Sequence, residues 1–280
     1  MYPVIWLAET YDGGECPPPA APILSACPRK LNFMPNYSKS KHYHEDLQQK
    51  QMRTFHIKVL PEINHVCPNF VGAAVHAEFH NTPYSEPLWK EINRFLSEYR
   101  KLYTIESIKE MPSIQATRQV YKRCGKDPSR YRPSGEALVR RALQGKELYQ
   151  IDTAVDLINL ASIAYGYSIG GFDADKIQGD QLTLGIGCEG EPYEGIGRGI
   201  LNIAGLPVYR DKYGGIGTPT SDNERTKMEL STSHLLAIVN GYDGNRQNVL
   251  SCAKYIQQLL QDFAQSTGGI IVQFYTVDEA

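Results

Sequence analysis

The sequence predicts an α+β fold, on three observations. Strand-like segments open and close the folded part, helical segments fill its middle, and no strand–helix–strand unit recurs along it. Residues 54–60 alternate apolar and polar, as does 71–79, so both are expected as strands. Ser85 stands where an N-cap belongs, ahead of Leu88, Ile92, Phe95, Leu96 and Tyr99 at helical spacing. A shorter helix is expected over 113–123, stopping at Gly125. After Pro128 and Pro133, Ser134 is expected to cap a helix that runs to about Leu143, before Gly145. Residues 152–166 form the next helix. Beyond Gly166, strand-length apolar runs at 181–184, 200–203, 206–209 and 235–239 are separated by glycines, which predicts mainly antiparallel sheet. Residues 245–265 return to helix, with Val249, Ala253, Ile256, Leu260 and Phe263 along one side, and 270–275 is a closing strand.

The first 51 residues differ in kind. Seven prolines lie in the first 35 positions and a polar stretch follows, so this segment lacks the apolar pattern needed to offset the entropy of ordering and is expected to be disordered. Residues 52–280 are expected as a single domain, long enough for a sizeable core. A net charge of −2 argues against wholesale attraction to nucleic acid or membrane, though not against local patches. Six cysteines with no CxxC spacing read as reduced thiols. No apolar run approaches the ~20 residues of a membrane span, and no signal-peptide pattern opens the chain. A cytoplasmic protein without metal or cofactor is the expectation.

The helix over 152–166 is apolar around nearly its whole circumference, which places it inside the protein. Asp152, Asp156, Asn159 and Ser162 nevertheless fall on one narrow stripe of it. Buried carboxylates need partners. Either Asp152 is an N-cap and the others bond to neighbouring backbone, or the stripe walls a pocket. A second candidate is the polar loop 221–226, where Asp222, Glu224 and Arg225 are either solvated or reach over the mouth of a pocket walled by Asp156 and Asn159.

Between Arg118 and Lys146 there are nine Lys or Arg against only Asp127 and Glu136, with Tyr121 and Tyr131 interleaved; from Glu147 to Asn245 fourteen acids face six bases. This asymmetry suits phosphate attraction and base stacking, or else a solvated helical face. Gly185-Ile-Gly187-Cys-Glu-Gly190 matches GxGxxG, but Pro192 and another glycine-rich turn follow instead of a helix, so it is not a dinucleotide site. His76 and His80 suit a metal pair only on a helix, and their segment reads as strand. No GxSxG elbow is present, and no catalytic residue is assigned.

Residues 120–141 (VYKRCGKDPSRYRPSGEALVRR), 155–159 (VDLIN) and 171–176 (GFDADK), in that order, resemble the B3/B4 domain of the phenylalanyl-tRNA synthetase β subunit, and especially free-standing proteins built from that domain alone. The resemblance covers about Phe55 to the C-terminus. It implies an α+β sandwich around a central cavity and no aminoacylation domain. In the synthetase this domain hydrolyses tyrosine mis-attached to tRNA, with a histidine before the Ala-Phe-Asp turn and a glutamate on a later strand. This sequence has Gly170 and Ile238 in those places, so the same hydrolytic arrangement is not expected.

Two functions therefore stand open. One is a protein that binds tRNA or aminoacyl-tRNA, with trans hydrolysis of a mischarged ester as an extension. Lys122, Arg123, Arg132, Arg140 and Arg141 would hold phosphates, and Asp156, Asn159, Gly170, Asp173, Asp222, Glu224 and Arg225 would line the pocket. The other is a binding module for a small amino-acid-like molecule with no RNA partner.

Overall fold

Two strands are so apolar that neither face can meet water, and the architecture follows from covering both. They are β2 (Val71–Glu78) and β9 (His234–Gly241), buried over almost their whole length. The computed structural model describes residues 53–276; the segment 1–51, expected to be disordered, lies outside the described residues. β2 and β9 pair antiparallel and are flanked by β10 (Ile270–Tyr275) and β3 (Ile169–Asp173), in the order β10-β2-β9-β3. A second sheet has the order β1-β4-β7-β8, from β1 (His56–Val59), β4 (Gln181–Ile186), β7 (Pro207–Arg210) and β8 (Gly215–Gly217). A short hairpin, β5 (Glu194–Gly195) with β6 (Gly199–Ile200), completes the strands. All the described strand pairs are antiparallel except β1 with β4.

Three layers result. On one face of the β2–β9 sheet, Val71, Ala73, Val75, Leu235, Ala237 and Val239 pack against helices α2 (Glu86–Leu102), α4 (Ser134–Leu143), α5 (Thr153–Tyr165) and α6 (Arg246–Phe263). On the other, Ala74, Phe172, Leu236, Ile238 and Phe274 meet Leu182, Leu184, Tyr209 and Ile216 of the second sheet. Helix α1 (Pro61–Val66) and helix α3 (Pro112–Arg123) contribute Ile63 and Val120 to that second core. This is the α+β sandwich of sheet and helices expected. Gly72 matters in it, because a Cβ there would sit 2.2 Å from the Phe274 ring that crosses the sheet.

Several sequence expectations change in detail. The run 71–79 is not an alternating strand: both its faces are covered, so it reads as continuously apolar. Of 200–203 only Ile200 belongs to strand, and it is 95% exposed; a two-residue hairpin strand has no core face to bury it. Ser134 is the first residue of α4, with Pro133 in the N-cap position. β3, β8 and α1 carried no sequence signal, each being short or glycine-rich.

Helix α5 is held as predicted. The Asp152 carboxylate accepts from Val155 N at 2.8 Å as N-cap, and Gly166, at φ 70°, ends the helix in the left-handed conformation.

Candidate functional site

The polar stripe of α5 divides between two environments. Asp156 is buried and turned onto the protein's own groups: Trp89 Nε1 donates to Oδ2 at 2.7 Å and Ile151 N to Oδ1 at 3.1 Å. Burial raises its carboxyl to about 7, against these two donors. Asp156 therefore braces α5 against α2 and does not wall a pocket. Replacing Trp89 by Phe, which keeps the ring but removes the N–H, is expected to cost about 1–3 kcal/mol in urea unfolding, since it strands a buried carboxylate oxygen.

One and two turns further on, Asn159 and Ser162 face a cavity of about 130 Å³. Its walls come from α4 (Ser134, Leu138), α5 (Val155, Ile158, Asn159, Ser162), β3 (Ile169, Gly171), the β5–β6 hairpin (Ile196) and the loop Thr218, Thr220, Ser221, Asp222, Lys227 and Met228. Ser162 Oγ is already committed, donating to Tyr167 O at 2.5 Å. Among the described residues none hydrogen-bonds the side chain of Asn159 or of Ser134, so both are available to a ligand.

Asp222 is the group on which the cavity turns. Gly171 N donates to its Oδ2 at 3.0 Å, while Ile196 N donates to its main-chain oxygen at 3.0 Å. The other carboxylate oxygen lies toward Gly170 and Gly217, where a Cβ would come within 3.3 and 2.9 Å of it. Asp222 is half-buried and lines the cavity. Burial raises it to about 7, opposed only by the Gly171 bond. The loop bearing it is built from its own hydroxyls: Thr218 Oγ1 donates to Ser221 O at 3.0 Å, and Thr220 Oγ1 donates to Tyr131 O at 2.9 Å. Main-chain bonds from Ser134 N to Pro219 O and from Asn223 N to Ile216 O tie it to α4 and β8.

The remaining candidates fall outside this lining. Arg225 forms a two-armed pair with Asp211, at 2.9 and 2.8 Å, and Glu224 pairs with Lys227, whose side chain also borders the cavity. Asp173 accepts from Thr232 Oγ1 at 2.8 Å and from Asp175 N at 3.0 Å, which caps a 3₁₀ turn at Ala174–Lys176. Gly170 is the register partner of Ile238 across β3 and β9, so the two positions singled out by the resemblance do meet. Ile238 is fully buried in the core between the sheets, however, and offers no chemistry there. Of the predicted pocket residues the fold thus brings together Asn159 and Asp222, with Gly170 behind them. The sequence reading missed Ser134, Thr218, Thr220 and Ser221. Small hydroxyl residues carry no periodicity; nearness to the polar loop pointed only to Thr218, Thr220 and Ser221, and nothing in sequence pointed to Ser134.

The basic run is largely self-satisfied. Glu136, only 2% exposed, accepts from Arg118 at 3.1 and 2.8 Å and from Arg140 at 3.2 Å, with Arg132 at 4.0 Å. Arg123 donates to Val66 O at 2.8 Å. Arg141 donates to Glu147 O at 2.6 Å and lies 4.0 Å over the Tyr149 ring. Lys122 is exposed near the end of α3. No group of three metal-ligating side chains occurs among the described residues, and none of their helices is long and apolar enough to cross a membrane.

Comparison with known proteins gives three findings. The family model described as the B3/4 domain matches residues 116–265. No curated protein matches. Among solved structures, an N-terminal fragment of the phenylalanyl-tRNA synthetase beta-subunit from Pyrococcus horikoshii is similar over 83% of this chain, at 13% identity and a TM-score of 0.39. The chain spans 57% of that fragment's length.

Proposed function

We propose, from the premise that this chain belongs to the B3/4 domain family, that it binds the aminoacyl end of a charged tRNA and hydrolyses mis-attached esters in trans. The observation that supports this most directly is Asp222, which lines a small cavity with one carboxylate oxygen fixed by Gly171 and, among the described residues, no cationic partner on the other. A carboxylate so placed is suited to the α-ammonium group of an aminoacyl ester. The unpartnered amide of Asn159 and hydroxyl of Ser134 would orient the ester, while Leu138, Val155, Ile158 and Met228 would meet the amino-acid side chain. In hydrolysis a water oxygen adds to the ester carbonyl carbon, the bond to the ribose oxygen breaks, and that oxygen leaves with the water's proton. Orientation and stabilisation of the developing oxyanion supply the rate for so labile a bond.

One observation favours a second reading, a binder of free amino-acid-like molecules. Two of the arginines that would hold phosphate, Arg132 and Arg140, already converge with Arg118 on Glu136, which cancels one of their charges. Both readings are tested by incubating the full chain with a panel of mischarged tRNAs while measuring retention and deacylation. Retention with a log–log salt slope of roughly −2, as three phosphate contacts on a single strand give, supports the tRNA reading. Binding of free amino acids without salt dependence supports the second. If neither tRNA nor amino acid is retained, and no ester is cleaved faster than with heat-denatured protein, both readings fall.

A further inference from the structure

A second cavity, of about 190 Å³, shares no lining residue with the first. The end of α2 (Tyr99, Tyr103), the start of α3, the end of α5 (Tyr165) and the turn into α6 (Asp243, Asn245, Asn248) border it. Three tyrosines and one carboxylate therefore border one small space, and no lysine or arginine does.

Asp243 is held ready. Tyr167 Oη donates to its two oxygens at 2.9 and 3.2 Å, and Asn245 N donates to Oδ1 at 3.3 Å. Tyr167 Oη in turn accepts from Asn248 Nδ2 at 3.0 Å. These donors are all neutral. No Lys or Arg of the described residues is ion-paired with Asp243, although it is half-buried, so its charge is left to whatever enters the cavity. The helix ends around it do not change that sign. Two C-terminal ends, of α2 and α5, and two N-terminal ends, of α3 and α6, carry about half a charge each and oppose one another. The full charge of Asp243 then decides. On the wall of the same cavity, Tyr99 and Tyr103 lie with ring centroids 4.7 Å apart, and Tyr103 is 38% exposed. Aromatic rings next to a carboxylate are the chemistry that recognises an organic cation, through the ring quadrupole together with the ionic contact.

We infer that this cavity, framed by Tyr99, Tyr103, Tyr165 and Asp243, is a binding site for the amine, quaternary ammonium or guanidine head of a small organic cation. The inference does not depend on the reading of the first cavity, since no residue is common to them. The cation comes either free or as a side chain of a polypeptide, and the volume suits the charged head with a few carbons in both cases.

The test is calorimetric titration of the full chain with choline, with its uncharged isostere 3,3-dimethylbutan-1-ol, with agmatine, and with an arginine residue capped at both ends. Choline or agmatine is expected to bind saturably at one site, at least about 10-fold tighter than the neutral isostere. Asp243→Asn keeps an acceptor for Tyr167 and is expected to weaken the cation about 10-fold while leaving the isostere unchanged; Tyr103→Ala, at an exposed position, weakens it by about 3-fold. Capped arginine binding more tightly than agmatine would point to a polypeptide side chain as the source, and the reverse to a free cation. The inference is overturned if no cation saturates the protein by about 20 mM, if the isostere binds as well as choline, or if D243N leaves cation affinity unchanged. Near-ultraviolet circular dichroism of both variants excludes misfolding as the cause of a loss.

Discussion

Replacing Glu136 by glutamine is expected to lower the unfolding free energy by about 3 kcal/mol, and the melting temperature by about 10 °C. The cause is charge left without its counterpart. Arg118, Arg132 and Arg140 surround Glu136 on side chains that keep roughly a quarter of their surface in water, while the carboxylate itself is almost wholly enclosed. Removing its charge takes away the anion that Arg118, Arg132 and Arg140 share. A buried pair broken from one side costs far more than the intact pair contributes. Thermal unfolding at low and moderate salt checks this: the loss should shrink as salt screens the arginines. A melting temperature within 2 °C of the parent, by the conversion of about 2–4 °C per kcal/mol, would mean that solvent already carries these charges. The same variant informs the functional choice, because it raises the net charge of the cluster. If those arginines hold phosphate, the salt slope of tRNA retention should steepen.

Asp222→Asn is expected to act in opposite directions on function and stability. Retention or deacylation of aminoacyl-tRNA should fall at least about 100-fold, because the carboxylate that meets the ammonium group becomes neutral. Stability at pH 8 should rise by about 1–2 kcal/mol, a discounted figure because cavity solvent reaches the group. The sign follows from the direction of the shift. Burial raises the folded-state carboxyl from 3.8 to about 7, so the folded protein holds the proton more tightly than the unfolded chain does. The stabilisation from that proton is complete below the unfolded value, near pH 4, and is lost as pH rises through about 7. Asparagine removes this loss, so parent and variant should have equal stability near pH 4 and separate progressively up to pH 8. Asp156, likewise raised to about 7 by burial, leaves part of the pH slope in the single variant. Equal melting curves at every pH would show that Asp222 is solvated like a surface carboxylate. A variant that retains and deacylates as well as the parent would remove Asp222 from the site.

What could be read from residue order was governed by local rules. Periodicity located α2, α3, α5, α6 and β10 to within a few residues, because each has one apolar face or is apolar throughout. The N-cap at Asp152 and the C-cap at Gly166 follow from short-range hydrogen bonding and backbone sterics. The short glycine-bearing strands β3 and β8 escaped notice because pairing partners define them, and those partners are distant in sequence.

The amino-acid order by itself determined the α+β class, the buried helix α5 and the fact that its polar stripe had to be answered by something. Only tertiary structure decided which part of the stripe was answered by what. Trp89, from a helix more than sixty positions away, takes Asp156, whereas Asn159 is left facing a cavity that a loop bearing Asp222 closes from the far end of the chain. Likewise the nine bases between Arg118 and Lys146 were plain to count, but the convergence of three of them on Glu136 was not. The physical reason is burial: Trp89 and Arg118 reach their carboxylates from other helices, and although Arg132 and Arg140 stand four residues either side of Glu136, only the packing that encloses Glu136 draws them onto it.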